Sequence, residues 1–228
     1  QELGNAIRDA RKQTEIKGII LDLRNNPGGL LDQAVSVSDL FLYDGVIVSM
    51  RGRVANQDKE FKASRGRNKV NEPMVVLVNS GSASASDIVA GALQDRKRAV
   101  LLGESTFGKG SVQQIMPIPG TGTAVKMTTA LYYTPSGRSI QAEGILPDLV
   151  IPFESPRDQD GDLPRFSVRE KDLSKHLENN GNGGNKAGGA SGVVDPDAAT
   201  FLERDNQLRM GLQLVKSLPV LQSLQRPE

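Results

Sequence analysis

Two short apolar runs between residues 74 and 103 each lead into a loop rich in small residues, and this repeated motif restricts the fold most. Met-Val-Val-Leu-Val at 74–78 has no polar alternation, the pattern of a strand buried on both faces. The turn Asn-Ser-Gly-Ser-Ala-Ser follows, and residues 85–94 then carry Ile88, Val89 and Leu93 at helical spacing. A strand that turns sharply into a helix presents a small hydroxyl side chain at the helix N-terminus. The unpaired N–H groups and positive dipole end there favour a developing anion. A second apolar strand at 99–103 leads into the loop Ser105-Thr106-Phe107-Gly108-Lys109-Gly110-Ser111, which holds a lysine between two glycines. Serine, lysine and anion-binding backbone are the parts of a Ser–Lys hydrolase.

Each part also has a plainer reading. Ser84-Ala85-Ser86-Asp87 fits a capping box, in which a serine satisfies helix N–H groups and an acid answers three residues later. A Gly-Lys-Gly loop alone is commonly solvated or binds a phosphate. Asn25-Asn26-Pro27-Gly28-Gly29 closes the strand at 17–23 and reads as a turn. At the carboxyl end of a strand, however, glycines also let a ligand approach backbone N–H groups.

The other elements frame these loops. Residues 1–14 read as a helix, 30–42 as an amphipathic helix and 46–54 as a strand. Residues 55–71 are basic and polar, a solvated loop or hairpin, with a patch for a substrate carboxylate as the alternative. Strands are expected at 113–118 and 124–133, joined by Pro-Gly-Thr-Gly, and a short closing strand at 149–151. Residues 179–192 contain six glycines and four asparagines and no large apolar side chain, so a flexible linker is expected. Beyond it Asp195-Pro196 resembles a helix start. Leu208, Leu212 and Val215 continue a stripe from Phe201 that must dock somewhere, on the core or on another subunit. Pro219 is expected to stop or kink that helix. With 228 residues and net charge +1, the chain can bury one core plus appendages and gives no reason to propose nucleic acid as a partner. It has no cysteine, which removes disulfides and thiolate metal sites. The single histidine, His176, lies in a polar segment, so a structural or solvated role is expected of it.

Four stretches taken together resemble the carboxyl-terminal processing peptidases, or tail-specific proteases: GIILDLRNNPGG at 18–29, NSGSASASDIVAGALQD at 79–95, GESTFGKGSVQQ at 103–114 and LYYTPSGRSIQAEGILPD at 131–148. The resemblance spans roughly residues 15–152. It implies an α/β fold with a crotonase/ClpP-like serine peptidase core, a central β-sheet flanked by helices, and a C-terminal helical extension. It also implies Ser84 as nucleophile, Lys109 as general base and Gln113 as the residue orienting the lysine. The oxyanion donors are placed at Gly29, with Gly28 as fallback, and at Ala85. A serine hydroxyl needs a base to take its proton during attack. Lysine serves only as the neutral amine, a form favoured by burial beside apolar groups such as Phe107. No cofactor or metal is implied. Substrates would be proteins or peptides with exposed C-terminal tails, in the bacterial periplasm or cell envelope. An activating adaptor protein and a homo-oligomer formed through the C-terminal helix are further expectations. Family members carry an export signal, a PDZ domain and the opening of the catalytic domain before the point matching residue 1. The chain is therefore expected to be a fragment or the ordered part of a longer protein. Residues 1–154 would be catalytic core, 155–194 a polar linker and 195–228 an oligomerisation segment. A catalytically silent binding relative and a hydrolase of small esters are the alternatives.

Overall fold

The structure, a computed structural model, describes residues 1–53, 58–66, 69–154, 170, 202 and 204–224. The expected helix start at Asp195-Pro196, His176 and nearly all of the expected linker lie outside the described residues. In chain order the elements are α1 (Glu2–Gln13), β1 (Ile19–Asp22), α2 (Leu31–Phe41), β2 (Val46–Gly52), β3 (Lys59–Lys62), β4 (Met74–Val78), α3 (Ala85–Asp95), β5 (Val100–Gly103), β6 (Ser111–Pro117), β7 (Ala124–Tyr133), β8 (Leu149–Val150) and α4 (Asn206–Leu224).

The motif-bearing strands form a parallel sheet in the order β1-β4-β5-β8. Ile19 pairs with Met74, Val75 with Val100 and Leu102 with Leu149, so the strands expected at 17–23 and 74–78 share one sheet. Parallel neighbours need a crossover, and α3 supplies it between β4 and β5. All five residues of β4 are buried, because both faces of the sheet are covered. Met74, Val76 and Val78 join the main core with Phe41, Ile88 and Leu93 from α2 and α3. The alternate residues Val75 and Leu77 meet Leu102 and Val215 on the other face.

Beside this central parallel sheet a second, antiparallel sheet runs β3-β2-β7-β6. Residues 55–71 contain one arm of a hairpin: β3 pairs back on β2, with Phe61 opposite Val48. Hairpin β6–β7 projects outward, with every residue from Gln113 to Thr128 exposed.

Helix α4 packs across the parallel sheet of its own chain. Leu208, Leu212, Leu214 and Leu218 surround the Val75–Leu77–Leu102–Val215 cluster. A Cβ on Gly211 would lie 3.3 Å from the Leu77 side chain, a tight contact that marks how closely the helix approaches the sheet. Val215 of the expected stripe is thus buried on the sheet of the same chain, with Leu208 and Leu212 partly buried beside it. Pro219, expected to stop or kink the helix, does not stop it: α4 continues through it to Leu224. Proline removes one i→i−4 hydrogen bond, and Pro219 is exposed, so its ring meets solvent rather than the sheet.

Candidate active site

Ser84 stands at the N-cap of α3 with φ 56° and ψ −108°, a conformation a non-glycine residue adopts only under constraint. The constraint can be followed bond by bond. Asn26 O accepts the N–H of Ala83 (3.0 Å) and the hydroxyl of Ser86 (2.9 Å). Ser82 donates its hydroxyl to Leu23 O (2.7 Å), and Asn79 links to Asn25 through both its amide oxygen and nitrogen. The 79–86 turn and the 25–29 loop are thus laced together at the carboxyl end of the parallel sheet.

Gly28 sits at the closest point between them. Its φ is +90°, and a Cβ there would lie 2.4 Å from Ala83 O and 2.6 Å from Ala85 N. The two loops therefore meet at the backbone of Ala85, which opens α3. Gly28 spends its own N–H on Asn26 Oδ1 at 2.9 Å. Gly29 is exposed with open space where a side chain would be. Ala85 opens α3 at the positive end of the helix dipole.

Asp87 is the residue whose importance a capping pattern understates. Its carboxylate accepts the Ser84 N–H at 2.6 Å, as a capping box requires, but the same oxygen also accepts the Lys109 N–H at 3.1 Å. The other oxygen accepts the Thr106 hydroxyl and the Gly108 N–H (3.3 Å). One fully buried carboxylate thus ties the Ser84 turn to the Lys109 loop. Burial pushes its pKa up to about 6, although all four hydrogen bonds favour the charged form. Thr106 passes the connection on by accepting the Ile145 N–H at 2.7 Å. Ala142 donates to Gly108 O (2.8 Å), and Gln141 Oε1 accepts the Gly110 N–H (3.0 Å). The 140–145 segment therefore cradles the lysine loop from below.

Ser84 and Lys109 are both half-buried, and Asp87 brings their backbones together. No hydrogen bond joins Ser84 Oγ to Lys109 Nζ among the described residues. No hydrogen bond joins Gln113 to Lys109 among the described residues. A bulge falls between Val112 and Gln113, and Gln113 lies exposed on the outgoing strand opposite Thr128. Among the described residues, no cluster of metal-ligating side chains is present.

The model of peptidase family S41 matches residues 1–151. A carboxy-terminal-processing protease of Bartonella bacilliformis is 50% identical over 180 residues, covering 78% of this chain and 41% of that protein. A carboxyl-terminal-processing protease of Synechocystis sp. is 44% identical over 151 residues, covering 66% of this chain and 34% of the relative. Among solved structures, a photosystem II D1 C-terminal processing protease superposes with a TM-score of 0.60 at 37% identity, covering 65% of this chain and 38% of that one. The chain spans about two fifths or less of the length of these relatives.

Proposed function

Because the chain belongs to peptidase family S41, we propose that the protein it forms part of is a serine endopeptidase that cleaves other proteins at or near their carboxyl termini, with Ser84 as nucleophile and Lys109 as general base. The observation that carries this reading is Asp87, whose single carboxylate oxygen holds the backbone N–H groups of both residues. In the reaction, Ser84 Oγ attacks the scissile carbonyl carbon while the neutral Lys109 amine takes its proton. The oxyanion settles against the N–H groups of Gly29 and Ala85, and the lysine returns its proton to the leaving amine. Water then repeats the attack on the acyl-serine and releases the new carboxyl terminus. The Ser84–Lys109 hydrogen bond closes on substrate, since catalytic bonds are commonly long in an empty site. Gln113, on the strand that follows the lysine loop, orients Lys109, and its contribution is smaller than that of the lysine.

The test incubates the full-length protein with an unstructured protein and sequences the products by mass spectrometry. New carboxyl termini near the substrate's tail, absent with Ser84→Ala, are expected. Equal cleavage by Ser84→Ala would end the assignment.

A further inference from the structure

Three consecutive residues at the start of α4 each grip a different part of the sheet's catalytic end. Asp205 forms a two-pronged pair with Arg24, Oδ1 to one guanidinium nitrogen at 3.0 Å and Oδ2 to the other at 2.6 Å. Asn206 accepts the Glu154 N–H (3.0 Å) and donates to Pro152 O (2.8 Å). Gln207, fully buried, accepts from Arg24 at 2.9 Å and donates to Ile151 O at 2.7 Å. Arg24 also holds Asp22, and its guanidinium lies 6.0 Å from the Phe153 ring centre. Asp205 caps α4 as well, accepting the Leu208 N–H at 2.8 Å.

Docking alone does not call for this arrangement. The apolar face of α4 already covers the sheet. A largely buried ion pair is a poor source of net stability compared with apolar contacts, but it fixes orientation. What it orients follows from position. Arg24 immediately precedes Asn25, whose φ is 56°, and the loop then runs to Gly28 and Gly29 beside the Ser84 turn. With its guanidinium held on both sides, Arg24 cannot swing, and the strained loop starts from a fixed point.

We propose that Arg24 and Asp205 are positioning residues: the head of the C-terminal helix clasps Arg24 and thereby holds the Gly28–Gly29 loop in register with Ser84. Docking of α4 and assembly of the oxyanion site are then one event, and a partner or condition that lifts the helix head disables catalysis without touching Ser84 or Lys109. The kinetic part of this inference rests on the peptidase reading.

The decisive variant in the full-length protein is Asp205→Asn, which keeps an acceptor for the Leu208 N–H but loses the charged fork. Measured together are kcat, KM, Tm and amide exchange of residues 25–29. The clasp predicts kcat lower by about 10- to 100-fold, the size of loss a small misplacement produces. KM should stay within about twofold, and exchange at residues 25–29 should be faster. Arg24→Gln, which also loses Asp22 and Gln207, should give at least the same loss, and the double variant no more than Arg24→Gln alone, because the charged fork is already gone. Unchanged kcat and exchange in Asp205→Asn would overturn the proposal, as would a kcat loss that merely tracks the unfolded fraction. If the wild-type protein cleaves nothing, the peptidase reading fails, and loop exchange alone then decides the clasp by the same criterion.

Discussion

Replacing Asp87 with asparagine separates the stability of the active site from its competence. The carboxyl group is fully buried, and its pKa stands near 6 against about 4 in an unfolded chain. Between those values the native state holds a proton that the unfolded state has lost. Stability therefore falls as pH rises through that window, by about 3 kcal/mol for a gap of two units. Competence runs the other way. Only the carboxylate offers acceptors to Ser84, Gly108 and Lys109 N–H together, so the rate should rise as pH passes 6. Asp87→Asn removes the titration and turns one acceptor into a donor, leaving at least one of those N–H groups unpaired at about 1–3 kcal/mol. At pH 7 this roughly cancels the charge burial it relieves, so overall stability should change little while cleavage drops at least about tenfold. Urea unfolding of both proteins from pH 4 to 8 measures the difference. Asp39, Glu72 and Asp95, whose pKa values their hydrogen-bonded partners hold down, contribute an opposing slope at lower pH that is common to both proteins and cancels. Parallel stability curves through pH 4–6 would refute the argument, because Asp87 would then not be titrating in the native state.

Gly28→Ala should be among the most damaging small substitutions in the chain. Its methyl would press on Ala83 O and Ala85 N at an already positive φ, so both cleavage and the unfolding midpoint should fall; a variant with wild-type values would mean the loops are not laced as described. Gln113→Ala should leave stability within about 0.5 kcal/mol, since the residue is exposed, and should slow cleavage less than loss of Ser84. Loss of cleavage as complete as in Ser84→Ala would make Gln113 indispensable. Deleting residues 206–224 would bare Val75, Leu77 and Leu102, so light scattering should report aggregation, and a stable, clean monomer would contradict the docking of α4.

How much of this was readable in the sequence depended on range. The unbroken apolar run of β4 announced a doubly covered strand, and Ser84 at the head of α3 followed from the turn and the helical spacing after it. The capping reading of Asp87 was right about the Ser84 N–H. Its reach to Thr106 and Lys109, across about twenty residues, leaves no mark in local spacing. The clasp of Arg24 and Asp205 joins residues 181 apart and was wholly silent. The α4 stripe showed that an apolar face needed cover, but not that the cover was the reverse side of β4 and β5. The register shift between Val112 and Gln113, which leaves Gln113 opposite Thr128, is a feature that periodicity does not reveal.

The role of Lys109 as the base for Ser84 is tested most directly by the cleavage rate of full-length Lys109→Ala on an unstructured protein, with folding checked by its unfolding midpoint. The expected midpoint is close to wild type, because the backbone N–H of residue 109 still reaches Asp87, and the expected rate is reduced to the level of Ser84→Ala. A folded Lys109→Ala that cleaves at the wild-type rate would contradict it.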